Sequence, residues 1–301
     1  MEGRWVEVAD RVLVRRYDEL DLSVGLVVGE GGCLVVDTRG DERQGAELAA
    51  EVRRITAAPW TVAITHSHFD HAFGTRPFLG APVWGHPGCR ADLIGDGDRA
   101  RRQWARYYRD LGRADIAGDI EGTEIVPPDH LVTGRTELTV GGRRIVLAHL
   151  GRGHSGNDLV VHVPDAGVVF AGDLVENGAP PAYEDAYPLE WPATVAALLA
   201  LPVTPGAAAP ESPRPGTPGA AAPGSPRPCT PGAAPAVAFV PGHGDPVDRA
   251  FVAAQQAEIA ALARLCEEVS AGLASPADAV RRSPYPEETT RIALRRATAP
   301  G

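Results

Sequence analysis

Three of the chain's nine histidines and one aspartate fall within Thr65-His66-Ser67-His68-Phe69-Asp70-His71. Neutral imidazole nitrogen and carboxylate oxygen are the usual ligands of Zn²⁺ and related ions. Imidazoles are poor core material, because each brings polar nitrogens that need partners. The cluster follows Trp60-Thr61-Val62-Ala63-Ile64, which reads as a short buried strand. His66 and His68 are two residues apart, so in extended backbone they point the same way. Asp70 and His71 come later, where a turning chain can aim them at a second point nearby.

Three later segments offer further donors: Gly151-Arg152-Gly153-His154, Phe170-Ala171-Gly172-Asp173 and Val240-Pro241-Gly242-His243-Gly244. Each sets one His or Asp in a glycine-bearing turn beside an apolar run. H-x-H-x-D-H, a G-x-G-H turn, G-D after a strand and P-G-H-G, in that order, resemble the metallo-β-lactamase superfamily. The resemblance covers nearly the whole chain.

That resemblance implies an α/β fold, a four-layer αββα sandwich of two mixed β-sheets flanked by helices. It implies that His66, His68 and His154 bind one metal, that Asp70, His71 and His243 bind a second, and that Asp173 bridges them. Two Zn²⁺ per chain are expected, with iron or manganese as possible occupants. A hydroxide held between two cations is a strong nucleophile at neutral pH, because each ion lowers the pKa of the water. Asp70 is expected to orient it and to carry a proton to the leaving group. Asp37, at the end of a buried strand, resembles the family's strand-end aspartate and is expected behind the ligands.

An aspartate at the bridging position resembles thioesterases of the glyoxalase II type, lactonases and phosphodiesterases; true β-lactamases carry other residue types there. The glutathione-binding helical region of glyoxalase II has no match here, nor does the fused flavin domain of the diiron branch. The resemblance thus implies a hydrolase of a small ester, thioester, lactone or amide. The alternative is a mononuclear iron oxidoreductase of the persulfide dioxygenase type.

Composition narrows the field. The net charge is −10, which argues against a polyanion-binding surface and therefore against a nucleic-acid partner. All 29 basic residues are arginine, so Schiff-base and lysine general-base chemistry are excluded. Cys33, Cys89, Cys229 and Cys266 show no C-x-x-C spacing, leaving a disulfide framework or Cys₄ zinc site without support. Met1-Glu2-Gly3-Arg4-Trp5 is no apolar signal region, and no run reaches the ~18 apolar residues of a membrane span. A soluble cytoplasmic protein acting on a small molecule is expected.

The elements that must carry these donors read in short pieces. Strands are expected at 11–15, 22–28, 33–37, 60–64, 82–86, 137–140, 143–150, 159–163, 168–171 and 236–240. Helical spacing covers 41–56, 191–201 and 251–269, and the Arg-rich stretch 98–120 is expected to be helical. Along that stretch Trp104, Tyr107, Tyr108 and Leu111 share one face. His86, His130, His149 and His162 read as structural. The loop 180–191, aromatic, acidic and stiffened by proline, is expected to form a substrate wall. Residues 204–235 nearly repeat themselves in Pro, Gly, Ala, Ser and Thr with nothing large to bury. They read as a disordered insert within one domain spanning 1–301.

Overall fold

The computed structural model describes residues 3–202 and 238–298. The insert expected at 204–235 lies outside them. The first sheet runs β1 (Trp5–Ala9), β2 (Val12–Arg16), β3 (Ser23–Val28), β4 (Cys33–Val36), β5 (Trp60–Ala63), β6 (Val83–Gly85) and β7 (His130–Leu131), in that spatial order. Its first four strands pair antiparallel and the last three join in parallel. The second sheet comprises β8 (Arg135–Val140), β9 (Arg143–Ala148), β10 (Val160–Val163), β11 (Val168–Glu176) and β12 (Ala238–His243). Only β11 and β12 are parallel there.

Side-chain alternation along the strands separates three layers of core. In β4, Leu34 and Val36 face the second sheet, where Ile145, Leu147, Val161 and Phe170 meet them. Cys33 and Val35 face the other way, onto α1 (Glu42–Ile55), whose Leu48 and Val52 are fully buried. The same division holds in the second sheet. Val169 and Ala171 turn outward onto α6 (Trp191–Leu199), α7 (Arg249–Ser270) and the short α8 (Pro276–Arg282) and α9 (Glu287–Thr298). Helix, sheet, sheet, helix is therefore the layer order, and both faces of each sheet are apolar because both are covered.

The sheets approach closely where Gly25 of β3 meets the Phe170 ring. A Cβ at Gly25 would lie 2.3 Å from that ring, so the packing requires glycine there. Helix α1 starts at Asp41, whose buried carboxylate accepts from the Gln44 amide, and ends in Arg53 and Arg54. Both features favour a helix in that direction, by about 1 kcal/mol for the cap.

Some elements differ from the sequence expectation. The region 98–120 is two helices, α4 (Gly97–Asp110) and α5 (Ala114–Gly122), broken where Gly112 takes φ +74°. Of the four residues expected on one face, Tyr108 is buried and Trp104 half-buried, whereas Tyr107 is 45% and Leu111 58% exposed. Leu111 already lies past the last helical turn, so its direction is no longer set by helical spacing. Strand β11 runs on to Glu176, with a bulge at Gly172 (φ +55°) that places Asp173 within the strand. Among the described residues no helix is long and apolar enough to cross a membrane. Cys33, Cys89 and Cys266 are buried free thiols.

Candidate metal centre

The sequence-predicted donors lie at one end of both sheets, near the C-terminal ends of the parallel strands, where α/β folds place their sites, with Asp173 inside β11 and His243 closing β12. Strand β5 leads through Thr65 to His66 and His68, and a single helical turn, α2 (Phe69–Ala72), lifts Asp70 and His71 toward the same space. Asp173 comes from β11, His243 from the end of β12, and His154 from the loop between β9 and β10. Backbone bonds stitch the two sheets together here: Leu159 N–H donates to Thr65 O (2.7 Å), and Gly244 N–H to Asp21 O (2.8 Å).

All seven expected donors converge, in two groups. His66, His68, His154 and Asp173 form one, and Asp70, His71 and His243 the other. The Asp173 carboxylate touches both. Oδ2 lies 3.4 Å from His154 Nε2 and 3.3 Å from His243 Nε2, and Oδ1 lies 3.3 Å from His71 Nε2. Asp70 Oδ2 is 3.3 Å from His243 Nε2. Within the first group His154 Nε2 and His68 Nδ1 approach to 2.8 Å.

Hydrogen bonds behind the rings select which nitrogen faces inward. Asp37 Oδ2 accepts from His71 Nδ1 (2.9 Å) and from the Thr65 hydroxyl (2.9 Å). With its proton given to Asp37, the Thr65 oxygen accepts from His66 Nδ1 at 3.0 Å. One carboxylate thus leaves Nε2 of both histidines as an inward-facing acceptor. Asp37 takes up this position with φ +64°, a left-handed conformation that aspartate tolerates better than most residues. His243 donates Nδ1–H to Leu20 O at 2.7 Å. His68 is reversed: Nε2 bonds Asp185 Oδ2 at 2.8 Å and Nδ1 faces the centre.

Electrostatics agree with a cation site. Burial opposes ionisation of every group. Even so, Asp173, surrounded by His243 and His71, is held well below the ordinary carboxylate range. Burial lowers His68, but Asp185 outweighs it and lifts the ring to about 9. His71 is raised through Asp173 and Asp70 despite burial. The carboxylates therefore favour positive charge at this centre. Two buried atoms aimed into the centre, His66 Nε2 and Asp173 Oδ1, have no hydrogen-bond partner. Buried polar atoms are rarely left so, and a metal ion satisfies both. The donor set fits divalent metal binding.

The other four histidines stay outside the groups. His86 caps α3 (Pro87–Gly95) by accepting from Gly88 N–H, and stacks on His149 at 4.3 Å. His149 Nδ1 bonds Asp158 O, His130 pairs with Asp129, and His162 is buried within β10.

Sequence reasoning missed the residues that hold the motif loop from outside. Asn157 Oδ1 accepts from Ser67 N–H (3.0 Å), and Asp92 Oδ2 accepts from both the Ser67 hydroxyl and Asn157 Nδ2. This network ties the His66–His68 loop to the His154 turn. Asn157 stands in the same glycine-bearing segment as His154 and was legible to that extent. Asp92 and Asp185 sit in no motif.

Asp37 yields a prediction. Asp37→Asn keeps the shape but has one oxygen and an NH₂ where three donors, Thr65 N–H, the Thr65 hydroxyl and His71 Nδ1–H, need acceptors on both sides of the group, so the hydrogen bond that fixes the His71 tautomer is put in competition. Metal affinity is expected to fall about 10–100-fold with the fold intact, the usual cost of removing such a partner. Competition with a chromophoric chelator measures it, and unchanged affinity would remove Asp37 from the account.

A family model described as the metallo-beta-lactamase superfamily matches residues 18–219. A probable metallo-hydrolase of Bacillus subtilis, YqgX, is 25% identical over 159 residues, which cover 50% of this chain and 65% of that protein. The match therefore spans less than two thirds of the relative. Among solved structures, a metallo-beta-lactamase from Pontibacter korlensis superposes with a TM-score of 0.60 at 16% identity, covering 86% of this chain and 99% of that one. Another, from Pseudomonas aeruginosa in its mono-zinc form, gives 0.57 at 15% identity, covering 87% and 97%. Such identities speak for the fold alone. The fold and the clustered His and Asp donors agree with that family model. The chain belongs to the metallo-beta-lactamase superfamily.

Proposed function

We propose that this protein is a dinuclear zinc hydrolase of a small ester, thioester, lactone or amide. The observation that carries the reading is the Asp173 carboxylate, within 3.4 Å of His154 in one donor group and 3.3 Å of His71 and His243 in the other. A carboxylate between two sets of imidazoles is the arrangement a bridging ligand needs. Bound there, two divalent ions would supply Lewis acidity and an ionised water at neutral pH.

The chain's own residues do the rest. Asp70, buried but held below its ordinary pKa by His71 and His243, is an ionised acceptor at neutral pH. Its carboxylate can take a proton in the centre and return it to the leaving group. Among these residues His68 and Asp185 are the more accessible, with side chains 29% and 55% exposed, while His66, His71 and Asp173 are closed off. Substrate therefore enters on the side of the loop 177–190. Tyr187 of that loop lies under the Arg152 guanidinium at 4.3 Å and supplies a flat wall. A small uncharged or anionic substrate suits this entrance, and the net charge of −10 disfavours a polyanion.

Elemental analysis of purified protein and a hydrolysis panel of esters, thioesters, lactones, β-lactams and phosphodiesters test the proposal. About two zinc per chain, with turnover in one of the first three classes, is expected. The β-lactam arm should stay silent, since an aspartate at position 173 is unlike true β-lactamases. A single iron per chain would favour the mononuclear oxidoreductase reading, which leaves Asp70 and His243 without a task.

A further inference from the structure

The loop 177–190 is fastened to the C-terminal helix at the point where it meets the metal centre. Arg296 of α9 donates Nε–H to Ala186 O (2.9 Å) and Nη2–H to Asp185 O (3.1 Å). Its guanidinium also lies 5.6 Å from the Tyr187 ring centre. One half-buried side chain thus fixes three successive residues of the loop. The first of them, Asp185, accepts from His68 Nε2 at 2.8 Å, and His68 in turn presents Nδ1 to the first donor group.

We propose that Arg296 is a positioning residue for the first metal ion, acting through Asp185 on the ring of His68. The inference rests on the metal-binding reading above. His68 is the reversed histidine, the one whose inward nitrogen is Nδ1, and among the described residues Asp185 is the one hydrogen-bond partner of its ring outside the centre. His66, His71 and His243 are oriented by groups on or beside the sheets. Asp185 stands instead on an irregular loop with an exposed side chain, and a loop carboxylate orients a ring only as well as its own backbone is held. Tyr183 and Ala186 are buried in the core beneath the loop, and polar anchors hold its two ends: Asn177 N–H to His243 O (3.2 Å) at the start, and Tyr187 N–H to Gly153 O (2.8 Å) with Arg152 Nε to Glu190 (2.9 Å) at the finish. Arg296 holds the part that carries Asp185. Its planar fork suits two adjacent carbonyls, and a lysine could satisfy only one at that geometry.

The test measures zinc affinity by chelator competition and the visible spectrum of the cobalt-substituted protein. Variants are Arg296→Ala, Arg296→Lys, Asp185→Ala and the double variant, with Arg295→Ala as the neighbouring exposed control. Arg296→Ala is expected to weaken the first ion about tenfold, the lower end for removing an outer partner, and to alter the cobalt spectrum. Arg296→Lys should recover part of the loss, and Arg295→Ala should match wild type. In the double variant the Arg296 effect should vanish, because residues acting in series are not additive. Three results would overturn the proposal: wild-type affinity in Arg296→Ala, losses that simply add, or a lowered melting temperature with an unchanged cobalt spectrum. A wild-type chain that takes up no metal at all would instead overturn the metal reading itself.

Discussion

Asp173→Ala is expected to lower metal content from about two ions per chain towards one, and to cut hydrolysis by at least ~100-fold while leaving the fold in place. The carboxylate is fully enclosed and contacts His66, His71, His154 and His243 through its two oxygens. On the proposed reading its removal would take a ligand from both groups, leaving His66 and His154 without a carboxylate and His71 and His243 with Asp70 alone. Folding should suffer less, because β11 keeps its backbone pairing to β10 and β12 on either side. Neighbouring apolar contacts at Leu174 and Val175 are also untouched. Single-ligand variants should divide by group: His154→Ala empties the first site and His243→Ala the second. His149→Ala and His162→Ala, outside both groups, should change stability before metal content. Elemental analysis with circular dichroism on each protein separates these outcomes. Full occupancy and turnover in Asp173→Ala would show that it does not bridge.

The convergence of the seven candidate donors was legible because each stands in a short local pattern beside an apolar run, and strand ends on one side of a sheet converge. The sandwich was legible for a related reason. Continuous apolar runs such as Cys33-Leu34-Val35-Val36 mean strands covered on both faces. What could not be read is set by contacts between distant segments with no local signature. Asp185 meets His68 across 117 positions, and Asp92 meets Ser67 across 25. Arg296 is one arginine among 29 until the fold places it. The break in 98–120 shows the opposite failure. Gly112 was visible, but glycine inside a helical pattern is tolerated often enough that only the positive φ marks a stop. Asp173 likewise looked like a turn residue, because a bulge inside a strand and a turn after one both call for glycine before it.

Gly242→Ala is expected to remove metal binding almost as completely as loss of a ligand, although the new methyl group touches no substrate. A Cβ built on Gly242 falls 1.8 Å from Asp173 Oδ1 and 3.0 Å from His71 Cε1. Neither neighbour can step aside cheaply. His71 is fully buried and pinned by Asp37, and Asp173 sits in the bulged strand that pairs with β12 at this level. The backbone at Gly242 is not in a left-handed conformation, so alanine is conformationally allowed there and the conflict is one of space alone. Overpacking of this kind costs about 1–3 kcal/mol in stability, which a core of this size survives. The displaced carboxylate, however, can no longer reach both donor groups, and affinity should fall by ~100-fold or more at the second site. Gly118→Ala provides the contrast. Its Cβ would meet nothing within 4 Å on the exposed side of α5, so that variant should keep its metals and gain up to ~1 kcal/mol from helix propensity. Thermal melts and metal analysis of the pair measure both effects. If Gly242→Ala bound metal as the wild type does, the close approach of β12 to the Asp173 carboxylate would not be what holds this centre together.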